Sequence, residues 1–174
     1  MKSAKTFLCL ALLCPFFSFA QSNMETKDGD EQAILAVITE QTRAYFERDF
    51  EAWGNTHMQK DYYREFKYWE GWNDKVHTTI GWTENVDINK AQFDPKKPKS
   101  KWDSAKYVRS DVNIRVSGSG DMAWATFTQH AIDPKTQEVV GESYETRVME
   151  KQNGQWKIAY LGYHYVPKEE EETN

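Results

Sequence analysis

Residues 111–166 read DVNIRVSGSGDMAWATFTQHAIDPKTQEVVGESYETRVMEKQNGQWKIAYLGYHYV. Alternating or apolar runs are separated by Gly118-Ser119-Gly120-Asp121, Asp133-Pro134-Lys135-Thr136 and Gln152-Asn153-Gly154-Gln155. Turn residues between alternating hydrophobics are the strongest short-range signal for hairpins. The stretch therefore predicts long antiparallel strands, with Tyr107–Val116 opening the series. Long strands joined by tight turns make a bent sheet, and the rest of the chain has to cover it.

The upstream residues have a different period. From an N-cap at Asp30, Ile34, Leu35, Ile38, Thr42, Tyr45 and Phe46 recur at helical spacing to about Arg48. Asp49 is placed to cap a second helix carrying Phe50, Trp53 and His57 on one face. Tyr62–Trp69 and Lys75–Ile80 read as a hairpin around a turn at 70–74. Gly81 breaks it, Trp82–Phe93 predicts a short helix, and 94–104 a loop. Helices, hairpin, short helix and then antiparallel strands indicate α+β. The expected architecture is an N-terminal helical layer packed into a strongly curved, mainly antiparallel sheet of four to six strands.

The ends carry an address. Lys2 and Lys5 precede the apolar run Phe7–Leu13, which is too short to span a bilayer, and Ser18-Phe19-Ala20 has the small residues a signal peptidase reads. Residues 1–20 are expected to be an export signal, which places the protein in the periplasm or outside the cell. Bulky Leu13 ahead of Cys14 argues against lipidation. Residues 21–29 are expected to be a flexible lead, 30–167 a single domain, and 168–174 a disordered acidic tail. Both cysteines, Cys9 and Cys14, leave with the signal, so no disulfide, thiol nucleophile or cysteine metal site is expected. Losing Lys2 and Lys5 takes the net charge from −5 to −7, which argues against nucleic acid and anionic membrane as partners. The run Lys96–Lys101 reads as a solvated loop. His57, His77, His130 and His164 show no ligand spacing, and there is no glycine-rich phosphate loop or nucleophile elbow. No metal or cofactor is expected.

Arg48-Asp49 before the second helix, Gly81 before the third, Gly120-Asp121-Met122-Ala123, Thr146-Arg147-Val148 and Asn153-Gly154-Gln155-Trp156-Lys157-Ile158 follow one another in a telling order. This order resembles the nuclear transport factor 2-like superfamily, the cystatin-like cone of SnoaL-type cyclases and ketosteroid isomerases, over about Glu31 to Val166. The resemblance implies a pocket between the concave sheet face and the helices, and dimerisation through the sheet. In ketosteroid isomerases a carboxylate on the first strand is the base. That position falls near Phe66, with Glu65 beside it. Alternation sends these two to opposite faces, so a pocket-facing Phe66 leaves the isomerase mechanism without its base.

The aromatic content points to a pocket: seven Trp and nine Tyr, each an apolar body with a polar tip. The expected ligand site is Trp53, His57, Phe66, Tyr68, Tyr144 and Tyr160, with Trp124 assignable to either face. His57 is the candidate acid or base, or else a hydrogen-bonded histidine at the rim of the core. The last strand looks apolar on both faces, which predicts a covered outer face and a homodimer through Glu145, Arg147, Leu161 and Tyr163. Three functions fit: an exported domain binding a small apolar ligand, an isomerase, cyclase or dehydratase using His57 on an apolar carbonyl compound, or a dimerising interaction module with a filled cone.

Overall fold

A long N-terminal helix lies across one face of a six-stranded sheet, and the sheet bends around it. The computed structural model describes residues 17–69 and 76–166. The order is α1 (Phe17–Glu47), α2 (Phe50–Asn55), β1 (Arg64–Trp69), β2 (Val76–Ile80), α3 (Trp82–Asn89), a 3-10 turn (Lys90–Phe93), α4 (Lys101–Ser104), β3 (Lys106–Val116), β4 (Met122–Ile132), β5 (Val139–Gln152) and β6 (Gln155–Val166). The strands run β2-β1-β6-β5-β4-β3. Among the described strands β1 and β6 pair in parallel and the other four pairs are antiparallel. The α+β expectation holds. The signal segment, the β1–β2 turn and the acidic tail fall mainly outside the described residues.

Two helix starts differ in kind. Asp49 caps α2 as its sequence position suggests, its carboxylate accepting from the Ala52 N–H at 3.0 Å. Asp30 does not cap α1, which begins at Phe17 and runs through the 21–29 stretch expected to be flexible. Gln, Met, Glu and Lys in that stretch are good helix formers, and Gly29 costs only about 1 kcal/mol against Ala. Asp30 instead accepts from the Trp156 indole N–H at 2.9 Å and pairs with Lys151 at 2.8 Å, tying α1 to β5 and β6.

The core sits between α1 and the sheet. Ile34 and Ile38 are fully buried against Ile114, Ala123, Ala125, Met149, Trp156 and Ile158. A register shift between Val148 and Met149 skips Ala159 on β6, so Met149 pairs with Ile158 and Val148 with Tyr160. This bulge moves the inward set of β6 by one residue. Trp156 and Ile158 face the core before it, and Leu161 does so after it. Ile38→Ala should therefore lower the unfolding free energy by about 2–5 kcal/mol. Urea melts should show a lower midpoint with unchanged slope, whereas Ile88→Ala, at an exposed position, moves it little.

Candidate ligand-binding site

The sheet does not close onto the helices everywhere. A cavity of about 890 Å³ remains between them. Its floor is two rows of inward side chains in register across β1, β6 and β5. Glu65, Leu161 and Arg147 form one row; Lys67, Tyr163 and Glu145 form the next. Gln41, Thr42 and Tyr45 of α1 and Trp53 of α2 form the roof. At the mouth, α4 lays Trp102 against Gly141: a Cβ there would meet the indole at 2.4 Å, so only glycine seats this ring. The segment around α4 is held by Arg48, which sits at φ 67° at the end of α1. Its guanidinium donates to Pro98 O at 2.9 Å and Asp103 Oδ2 at 3.0 Å, and also to Lys97 O.

Charges on the floor come as neighbours two residues apart, which a strand places on one face. Lys67 Nζ lies 2.6 Å from Glu65 Oε1. Arg147 Nη1 donates to Glu145 Oε2 at 2.8 Å, with both side chains under 5 % exposed, and the Ser143 hydroxyl donates to the other oxygen at 2.6 Å. Buried charges persist only when paired and hydrogen-bonded in this way. On β3, Arg109 donates to Thr42 Oγ1 at 2.8 Å and to Ile38 O and Thr39 Oγ1 at 3.3 Å. Burial, and then the neighbouring Arg147, push its guanidinium down to about 10. Burial raises the hydroxyls of Tyr45, Tyr107 and Tyr163, which stay neutral.

Of the residues singled out in the sequence, Trp53 and His57 line the cavity. Phe66, Tyr68, Trp124, Tyr144 and Tyr160 do not. They stand on the opposite, convex face, where Tyr68, His164 and Tyr144 pair across the strands, as do Trp124, Val148 and Tyr160. Trp124 is 52 % exposed and Tyr144 57 %. Conversely Glu145, Arg147, Leu161 and Tyr163, expected at an outer dimer face, form the cavity floor. A one-residue change of parity exchanges every side chain between faces. Two things hid the true parity. The bulge at Ala159 makes β6 look apolar on both sides when it has one core face. The buried charges, being paired, occupy positions that a hydrophobic pattern assigns outward. Glu65, expected to point away, therefore faces the cavity. The signal available was Glu-x-Lys at 65–67 and Glu-x-Arg at 145–147, opposite charges at strand period. Arg109 and Trp102 carried no comparable signal.

His57 is almost fully buried. Its Nδ1 lies 2.8 Å from Trp53 O and 3.0 Å from Thr56 Oγ1, and its Nε2 has no partner. Burial pushes its pKa down to about 3. A neutral imidazole donating to a helix carbonyl is a structural element, and a base that weak moves few protons at neutral pH. On the convex face, Ser110 Oγ lies 3.0 Å from His130 Nε2, and His130 Nδ1 lies 3.0 Å from Glu142 Oε2. The spacing is that of a nucleophile, base and orienting acid. However, Asp111 places a carboxylate 2.9 Å from Ser110, where a developing oxyanion needs donors. This is a surface polar chain and not an acyl-transfer site.

The family model for the SnoaL-like domain matches residues 34–165, and the chain belongs to that family. No curated protein matches it. Among solved structures it is similar to a cystatin-like-fold protein of unknown function from Nostoc punctiforme, at 14% identity and TM-score 0.61, covering 79% of this chain and 92% of that one. It is similar also to the association domain of C. elegans CaMKII, at 16% identity and TM-score 0.59, covering 80% and 98%. A putative ketosteroid isomerase from Shewanella frigidimarina matches at 20% identity and TM-score 0.53, covering 78% and 97%. At these identities the likeness is one of fold. Among the described residues no helix is long and apolar enough to cross a membrane.

The state of His57 has a pH signature. Unfolded, the ring takes up its proton near 6.5, and folded only near 3. Between these values the unfolded chain binds more protons, so stability is full above 6.5 and falls as pH drops towards 3. Nuclear magnetic resonance should show no titration of the His57 ring between about pH 5 and 8. Urea melts of His57→Gln should lose less stability than the unmutated protein across the acid window.

Proposed function

We propose that this protein is an exported domain that binds a small molecule in the cone. One observation carries the reading: an aromatic-walled cavity of about 890 Å³ stands beside a packed core of Ile34, Ile38, Met149 and Ile158. Pockets for small organic ligands span about 300–1,000 Å³ and are mostly apolar with a few placed polar groups. A filled interaction module does not need such a space. Glu65 is what an isomerase reading would use, standing on the first strand within the cavity, and the similarity to a putative ketosteroid isomerase speaks for it. Lys67, at 2.6 Å, already engages that carboxylate, and His57 is neutral. Binding is thus better supported than proton transfer. Nile red, a neutral fluorophore, should bind with a blue-shifted emission. Ala131→Trp, which sends an indole into the cavity from β4, should weaken it by about tenfold or more. Equal affinity in the variant would place the dye elsewhere.

Self-association through the convex face follows from the corrected parity. Phe66, Met122, Trp124 and Tyr144 are exposed there, and exposed large apolar side chains on one sheet face suit a contact surface. A fold neighbour is itself an association domain. Export is supported by the Lys2/Lys5, apolar run and Ala20 pattern. Protein recovered from its host's exported fraction should begin at Gln21 by intact mass and sediment as a dimer. Trp124→Asp with Tyr144→Asp should give a monomer that still folds. Recovery of the full-length chain would contradict export, and a monomer before mutation would contradict the dimer.

A further inference from the structure

We propose that the lysine-rich loop at 96–101 is a docking surface for this chain's own acidic tail, residues 169–172, which then lies across the mouth of the cavity. Docking needs no ligand, so it stands apart from the small-molecule reading above. The loop and its flank carry five lysines, Lys96, Lys97, Lys99, Lys101 and Lys106, all exposed, in a chain whose net charge is −5. Among the described residues none of the five forms a salt bridge. The two carboxylates of the stretch are engaged: Asp94 accepts from the Lys96 N–H at 2.8 Å, and Asp103 pairs with Arg48 at 3.0 Å. The lysines stand on a fixed frame. Arg48 donates to the carbonyls of Asp94, Lys97 and Pro98, and Ser100 forms a capping box with Asp103 at the start of α4. A cationic surface held in place without salt-bridge partners suits an anionic segment.

The chain supplies that segment at the right place. β6 ends at Val166, and the Tyr165 ring meets Trp102 edge-on with centroids 5.8 Å apart. Lys101 Nζ sits 4.7 Å from the centroid of the same indole. The strand therefore delivers the chain to the foot of the lysine loop. Pro167 follows, with no N–H to extend the pairing. Glu169, Glu170, Glu171 and Glu172 come three to six residues after Val166, within about 10–20 Å of it along an extended chain. Four carboxylates in a row thus meet the four lysines at 96–101, and the tether gives them a high effective concentration. A separate acidic partner has no such tether to set against the repulsion of a net acidic protein. Exposed ion pairs are individually weak and screened by salt, so the strap is reversible. Lys97, Ser100, Trp102, Asp103 and Tyr165 line the cavity, so a tail seated on the loop crosses its opening.

The test is zero-length carbodiimide cross-linking of the full chain, read by mass spectrometry of the monomer band. Isopeptide bonds should join residues 169–172 to Lys96, Lys97, Lys99 or Lys101, and their yield should fall about fivefold or more between about 20 mM and about 0.5 M salt. No such bonds, bonds to a lysine near the start of β6 such as Lys157, or bonds confined to cross-linked dimers would overturn the docking. Stopped-flow mixing with Nile red reads the mouth. A variant carrying Glu169→Gln, Glu170→Gln, Glu171→Gln and Glu172→Gln should take up the dye about threefold or more faster than the unmutated protein at low salt, and the two should converge at high salt. Equal rates at low salt would overturn the strap across the mouth. Failure of Nile red to bind either protein would overturn the small-molecule reading, and the cross-links would still decide the docking. The four glutamates follow the last strand, so their substitution leaves the core untouched.

Discussion

An ionised side chain on the buried face of a sheet is costly unless a counter-ion or a set of hydrogen bonds stands beside it. Glu145 and Arg147, two residues apart on β5 and both under 5 % exposed, meet that condition, and Lys67 with Glu65 repeats it on β1. Register places each of these charges opposite one of the other sign across β6, Glu65 in the row of Arg147 and Lys67 in the row of Glu145. Breaking one partner would strand a charge, at about 3–5 kcal/mol. The parity of three neighbouring strands is thereby set: charged pairs, Leu161 and Tyr163 inward, and Phe66, Tyr68, Tyr144 and Tyr160 outward. A floor of paired charges cannot pack against a helix as aliphatic side chains do, and the cavity lies where they stand.

The rest of the molecule frames that space. Ile34 and Ile38 seal one end of the cone against Met149 and Ile158. Asp30 fixes the near half of α1 to β5 and β6 through Lys151 and Trp156. At the other end, Arg48 in a left-handed conformation turns the chain into α2 and gathers the carbonyls of the segment that carries Trp102. Trp102 can lie over the sheet only because residue 141 has no side chain. The Arg48-Asp49 dipeptide thus joins two tasks: one residue holds the segment that carries Trp102 and the next caps the helix that bears Trp53.

Much of the fold was legible in the sequence because its signals are local. The turns at 118–121, 133–136 and 152–155, the helical spacing from Ile34 to Phe46, and Asp49 as a cap all act over a few residues. The family likeness rested on the order of such signals. The site was less legible because it depends on which face of a strand is inward, and a strand offers two. Reading aromatic as inward and charged as outward gave the wrong face for Phe66, Tyr68, Tyr144 and Tyr160, and for Glu145 and Arg147 as well. The bulge at Ala159 removed the one internal check, since strict alternation across it groups Ile158 with Tyr160 when the protein groups it with Leu161. Helical residues have no such ambiguity, and Trp53 reached the cavity from α2 as its spacing indicated; His57, expected on the same helix, lies just past its end in a bridge to Ile158 and still lines the cavity.

The central claim is that Glu145 and Arg147 form a buried pair on the concave face. A double-mutant cycle read by urea denaturation tests it most directly. Glu145→Gln alone leaves the Arg147 guanidinium buried without its counter-ion, and should cost about 3–5 kcal/mol. Adding Arg147→Met removes the stranded charge and should recover most of that loss. On a solvent-exposed face each single substitution would cost less than about 1 kcal/mol with coupling near zero. That result would contradict the parity and, with it, the cavity.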